Sequence, residues 1–254
     1  MHENGGGKMT SKHQNKIDLN NKARRVPICF CIDTSSSMGI IVDGFDTIKE
    51  TGNKIYTDQV ECQEVNGGIT LMDKVHEAIE NFYSAILDDD ISSDSCEIAI
   101  VTFNDTPSVF DGFSSVEEKK KPKFYPVPKS NTNISSAISL SLEVIEERKR
   151  EYEKNKISYY KPWLVIFSDG HSSDDVSLIK KELSRLEDEN LLYVCTVLLT
   201  DSEGVVNSLK GFSKGEPIKC REPNEIKGFF DFLSRSIYFE ITGGKTDYSF
   251  DLDF

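Results

Sequence analysis

The stretch Asp33-Thr34-Ser35-Ser36-Ser37 follows directly on an apolar run, so a carboxylate and two hydroxyls recur at alternate positions of a tight loop. Side chains at Asp33, Ser35 and Ser37 in such a loop converge on one point, and the set suits a hard cation, which prefers oxygen ligands. Two further stretches offer the same chemistry. Ser130-Asn131-Thr132-Asn133 precedes a helical pattern and supplies a third hydroxyl at Thr132. Phe167-Ser168-Asp169-Gly170 ends an apolar run in a carboxylate followed by glycine. Alone, D-x-S-x-S says little, because Asp and Ser collect in loops and helix caps everywhere, and Thr132 is equally suited to cap the helix behind it. The argument for one cation site is the combination of all three stretches.

The elements that must position these residues are readable as short apolar runs alternating with amphipathic ones. Val26 to Ile32, Cys96 to Phe103, Trp163 to Phe167 and Leu191 to Leu199 are nearly continuous in apolar residues, as strands covered on both faces require. Helical spacing recurs over Leu71 to Leu87, Asn133 to Tyr152, Val176 to Leu186 and Glu225 to Phe239. This alternation predicts an α/β fold: a Rossmann-like, doubly wound, mostly parallel central sheet flanked by helices. In such sheets ligands bind beyond the carboxyl ends of the strands, where all three oxygen-bearing stretches fall.

The expected organisation is a disordered leader over residues 1–25, a single domain over 26–240 and an acidic tail over 241–254. Residues 39–70 interrupt the alternation just after the first loop and read as a hairpin or irregular insertion. The proline-rich stretch 106–131 reads as edge strands and loops, with Lys119 to Lys121 in a flexible loop and not a phosphate patch. Asp174 and Asp175 read as first-turn residues of the helix that follows them, and His171 as a surface loop residue.

Composition narrows the function. The net charge of −13 argues against nucleic acid, which calls for clustered positive charge. No apolar run reaches the roughly 18–20 residues of a membrane span, and residues 1–25 lack the apolar stretch of a secretory signal, so a cytoplasmic location is expected. The six cysteines show no CxxC pair and sit largely in apolar runs, as buried reduced thiols do. G-x-S-x-G, P-loop and G-x-G-x-x-G patterns are all lacking, and a non-enzymatic role is expected.

Taken together, VPICFCIDTSSSM, HEAIENFYSAI, AIVTFND, LEVIEERKREYEK and KPWLVIFSDG resemble the motifs of von Willebrand factor A domains, from about Val26 to Phe239. They look most like the stand-alone bacterial proteins of the TerY and YegL type. The resemblance implies a metal-ion-dependent adhesion site (MIDAS). In it Ser35 and Ser37 ligate the metal directly, while Thr132, Asp33 and Asp169 do so directly or through water. The metal implied is Mg²⁺, with Mn²⁺ or Ca²⁺ as alternatives. The partner implied is a protein offering a Glu or Asp carboxylate, met by a rim of Ser36, Asn131, Gly170 and His171. The setting implied is a bacterial stress, tellurite-resistance or defence system with kinase and phosphatase members. A metal-assisted phosphohydrolase using the same cation, with His171 as base, is the alternative. Ser36 stands where the family's pattern has glycine, and so does Ser130.

Overall fold

The computed structural model describes residues 17–57, 60–119, 123–125, 132–170, 174–200, 203–220 and 223–243. Its strands are β1 (Val26–Asp33), β2 (Ile41–Asp43), β3 (Lys49–Thr57), β4 (Val60–Asn66), β5 (Ile69–Thr70), β6 (Cys96–Phe103), β7 (Ser108–Ser115), β8 (Trp163–Ser168), β9 (Tyr193–Leu198) and β10 (Ile218–Lys219). Its α-helices are α1 (Leu71–Leu87), α2 (Asp90–Ser95), α3 (Ile134–Asn155), α4 (Ser177–Asp188), α5 (Glu203–Leu209) and α6 (Pro223–Thr242). Six strands form one sheet in the order β10-β9-β8-β1-β6-β7. All neighbours run parallel except β7, which pairs antiparallel with β6 at the edge. The chain builds outward from β1 on one side through β6 and β7, then returns through α3 to build the other side from β8. That reversal leaves a crevice at the carboxyl ends of β1, β6 and β8, the place where ligands bind in open sheets of this kind.

Every residue of β1, β6 and β8 is buried, which explains their unbroken apolar runs. Alternate residues of β1 face two separate cores. Val26, Ile28, Phe30 and Ile32 meet α1 and α6, while Cys29 and Cys31 meet α3 and α4. Phe30 sits at the centre of the first core, with ring centroids 5.6 Å from Phe82, 5.7 Å from Phe230 and 6.2 Å from Phe167. In the second core, burial pushes the Cys29 thiol up to about 12 and raises that of Cys31 as well. Both thiols stay protonated and unreactive at neutral pH. Cys29, Cys31, Cys96, Cys195 and Cys220 are all free.

Residues 39–70 form two small antiparallel pairs. β2 pairs with β5, and β3 pairs with β4 as a hairpin standing apart from the main sheet. The pair β2–β5 returns the chain to α1, whose start is fixed by a capping box. Thr70 Oγ1 accepts from the Asp73 amide at 3.1 Å, and Asp73 Oδ2 accepts from the Thr70 amide at 2.9 Å.

Three expectations need correction. Residues 17–25 are not a disordered leader. Residues 17–25 are described, and Arg25 is buried. Its guanidinium donates to the carbonyls of Asp18, Asn21, Ala23 and Asp94 and pairs with Glu97 at 3.2 Å. Lys119 is not a flexible loop residue but is tied down. Its ammonium lies buried against Asp111 Oδ2 at 2.8 Å and the Gly112 carbonyl at 2.7 Å. Asp174 caps a different helix from the one expected: its Oδ2 accepts from the Ser135 amide in the first turn of α3 at 2.9 Å. Asp175 does serve α4, accepting from the Ser177 amide at 2.9 Å. Residues 1–16 and 244–254, which hold most of the expected leader and tail, lie outside the described residues.

Candidate metal centre

Parallel pairing places Asp33 abreast of Phe103 on one side and just past Phe167 on the other, so the loops after β1 and β8 leave the sheet side by side. Asp33 is fully buried, and both of its oxygens serve neighbours. Oδ1 accepts from the Ser35 amide at 2.8 Å, and Oδ2 accepts from the Ser168 hydroxyl at 2.7 Å. The first bond folds the loop back on itself as an Asx turn; the second ties β1 to β8. Thr34 anchors the loop to β6 instead, its amide and hydroxyl both donating to the Phe103 carbonyl at 2.6 and 2.9 Å. The chain then enters a 3-10 turn over Ser36–Gly39, in which the Met38 amide donates to the Ser35 carbonyl. Met38 is buried and pins the turn to the first core.

This turn sets the hydroxyls of Ser35 and Ser37 3.1 Å apart. The Ser37 hydroxyl in turn donates to Asp169 Oδ1 at 2.8 Å, across 132 residues of sequence. Thr132 is buried just before α3, held there by the bond from the Asn133 amide to the Asn104 carbonyl at 2.9 Å. Its place relative to the others is given by Gly170. A Cβ on that residue would lie 3.5 Å from Thr132 Oγ1 and 4.0 Å from Ser37 Oγ. All three stretches therefore meet in one hollow, and Gly170 forms one wall of it. Asp174 adds a tie between the β8 loop and α3 through its bond to Ser135.

Of the expected rim, Gly170 lies beside Thr132 and Ser37, Ser36 is half-buried in the 3-10 turn between Ser35 and Ser37, and Asn131 and His171 lie outside the described residues. Among the described residues, the non-glycine positions with positive φ are Lys156 and Asn190, so Ser36 occupies its place without a left-handed backbone. Sequence reasoning missed Ser168. A serine beside an aspartate at a strand end carries no signal by itself; only the register of β1 against β8 shows that its hydroxyl holds Asp33. Thr34 and Asn104 were missed likewise. The Asn104 amide reaches Thr34 Oγ1 at 3.3 Å, tying the loops after β1 and β6 together.

The donor set fits a small hard cation. With metal–oxygen distances of about 2.0–2.1 Å, adjacent ligand oxygens of an octahedron lie about 3 Å apart. The steps Ser35 Oγ to Ser37 Oγ and Ser37 Oγ to Asp169 Oδ1 match that edge. No cluster of three or more His, Cys, Asp or Glu side chains suited to a metal occurs among the described residues. The hollow is distinguished instead by mixing hydroxyls with carboxylates.

No protein-family model matches this chain, and no curated protein does. Solved structures do. The chain is similar to the von Willebrand factor domain of the type V pili tip protein Mfa5 from Porphyromonas gingivalis, at a TM-score of 0.55 and 10% identity, over 88% of this chain and 98% of that one. The chain has the fold of a von Willebrand factor A domain. The conserved hypothetical protein BatB from Bacteroides thetaiotaomicron is similar at a TM-score of 0.51 and 12% identity, over 86% of this chain and 100% of that one. The PilB minor pilin from Streptococcus sanguinis is similar at 0.58 and 10% identity, over 86% of this chain and 62% of the pilin. No helix among the described residues is long and apolar enough to cross a membrane.

Proposed function

We propose that the hollow binds one divalent cation, Mg²⁺ by preference, and that the loaded site holds a Glu or Asp carboxylate of a protein partner. One observation carries the reading: the oxygens of Ser35, Ser37 and Asp169 follow one another at 3.1 and 2.8 Å, with Thr132 across the hollow beside Gly170. When bound, the cation supplies a positive centre with a position open to an outside oxygen. Ser35, Ser37 and Thr132 contribute neutral hydroxyls to holding it. Asp33, engaged by the Ser35 amide and the Ser168 hydroxyl, orients the loop from behind. Asp169 orients Ser37. With hydroxyls rather than carboxylates nearest the cation, less of its charge is neutralised, and an external carboxylate is attracted. Ser36, Asn131, Gly170 and His171 form the rim that such a partner meets. This is a binding role and not a catalytic one. The sequence motifs support placing it in the cytoplasm of a bacterium, in a TerY-like stress or defence setting with a kinase and a phosphatase.

Titration of the purified chain with Mn²⁺ and Mg²⁺ tests the first half. One site per chain is expected, lost in Ser37→Ala and Thr132→Ala. A chain that ignores both metals overturns the proposal. Capture of partners from a native lysate in Mg²⁺ against EDTA tests the second half: partners retained equally in both conditions would refute a metal-dependent contact.

A further inference from the structure

The stretch that carries Thr132 is gripped from behind by residues of another loop. Helix α3 begins at Ile134, and its first amides have no carbonyl partner within the helix. Asn133 meets one of them, its Oδ1 accepting from the Ser136 amide at 3.3 Å. The Ser135 amide is met from outside the helix, by Asp174 Oδ2 at the shorter distance of 2.9 Å. One residue on, the Asp175 carbonyl accepts from the Ser135 hydroxyl, also at 2.9 Å. Ser135 is thus held by two consecutive residues that come four and five positions after Gly170 in the chain.

The grip falls where it bears on the cation site. Thr132 lies three residues ahead of Ser135, is 7% exposed, and has its Oγ1 3.5 Å from where a Cβ on Gly170 would stand. The stretch is tied on its other side to the end of β6, where the Asn133 amide donates to the Asn104 carbonyl at 2.9 Å. Asn104 also reaches the loop after β1 through Thr34. That loop is joined to the one after β8 by the bonds of Ser168 to Asp33 and of Ser37 to Asp169. Asp174 closes the remaining side, between the loop after β8 and the start of α3. The three donor-bearing stretches are then linked in a ring, and the start of α3, which as a helix end is prone to fray, is fixed to the wall it must face.

We propose that Asp174 is a positioning residue of the cation site: through the Ser135 amide it fixes the first turn of α3, and with it the place of the Thr132 hydroxyl relative to the ion. The assignment rests on the cation binding proposed above. Asp174 itself acts through Ser135 and not by touching the ion.

Mn²⁺ titration of the full chain is the test, with the melting temperature of the metal-free protein measured alongside. Groups that orient the ligands of a metal carry about 10–100-fold in its affinity, so Asp174→Ala is expected to weaken Mn²⁺ binding about tenfold or more. Its metal-free melting temperature is expected to fall by only about 2–4 °C, as loss of one helix cap does. The ion that still binds is expected to relax water protons faster than in wild type, because a water enters where the Thr132 hydroxyl has moved off. Asp174→Asn keeps an acceptor oxygen for the Ser135 amide and gives up the charge, and is expected to stay close to wild type. Asp175→Ala removes the comparable cap of α4, the bond from the Ser177 amide at 2.9 Å, but keeps the backbone carbonyl that holds Ser135. It is expected to lower the melting temperature to a similar extent and to bind Mn²⁺ like wild type. Wild-type affinity in Asp174→Ala overturns the assignment while leaving the cation site standing. Equal weakening in Asp175→Ala overturns it too, since the loss would then follow from lost stability, and equal weakening in Asp174→Asn does so by showing that charge and not position is at work. A wild-type chain that binds no Mn²⁺ overturns the cation site and this assignment with it.

Discussion

At Gly170 the missing side chain is what keeps the hollow open. A single methyl there would rest 3.5 Å from Thr132 Oγ1 and 4.0 Å from Ser37 Oγ, ordinary contact distances that require no movement of the backbone. Gly170→Ala is therefore expected to fold and still to bind Mn²⁺. Gly170→Val carries two further methyl groups into the space between the hydroxyls. It is expected to weaken Mn²⁺ binding at least tenfold, about 1.4 kcal/mol, with little change in the melting temperature of the metal-free protein. Equal loss in both variants, or no loss in the valine variant, would show that the hollow is not where the cation sits. Ser36 makes the complementary case. Its backbone is right-handed in φ, so Ser36→Gly gains no conformational relief and frees the unfolded chain. A stability loss of roughly 0.4–1 kcal/mol in urea denaturation is expected, with metal affinity kept.

At the scale of elements, two contacts decide how the framework around the site responds to its surroundings. His76 on α1 packs edge-on against Phe124, with centroids 4.5 Å apart, and burial lowers its pKa below 6.5. Asp73 and Glu80 oppose that shift more weakly. The folded state thus binds this proton less readily than the unfolded chain. The stability His76 confers is complete above pH 6.5 and is lost as pH falls from there through its folded value. Urea midpoints measured from pH 7.5 down to 5 are expected to fall more steeply for wild type than for His76→Leu; parallel curves would dismiss the assignment. The second contact joins β6, α3 and the segment before β1. Glu97 is buried and accepts from Arg148 Nε and Tyr152 Oη while pairing with Arg25. Glu97→Gln takes from buried Arg25 its carboxylate partner and leaves Arg148 paired with Glu151, and a loss of about 3–5 kcal/mol is expected, read as the shift in urea midpoint. The sequence concealed this cluster. Glu97 interrupts an apolar strand with one charge, and its partners lie 51 residues away on α3 and in a stretch that reads as polar leader.

For the whole molecule, the sheet was readable because β1, β6 and β8 are covered on both faces, and such strands write themselves as unbroken apolar runs. β7 was readable only as an edge strand within 106–131, and β10, two residues long, was not read at all. The hollow was readable in outline, since Asp33, Ser35, Ser37 and Asp169 carry their chemistry in their side chains. The residues that position them, Ser168, Thr34 and Asn104, are set by register between strands distant in sequence, which no local pattern records. A site assembled this way from three loops exists only in the folded chain. A cation held there binds the native state and not the unfolded one, so it must stabilise the fold by mass action, about 2.7 kcal/mol at a concentration one hundred times its Kd. The melting temperature is expected to rise with Mg²⁺ by several degrees and to keep rising with the logarithm of concentration above Kd, not to saturate at one equivalent. Thr132→Ala separates this from nonspecific screening of the −13 net charge. Loss of one hydroxyl leaves that charge unchanged, so the variant should lose the Mg²⁺-specific rise while keeping the smaller response to NaCl of equal ionic strength. If the variant and wild type respond alike to Mg²⁺, the cation is acting on the acidic surface at large and the hollow is not its site.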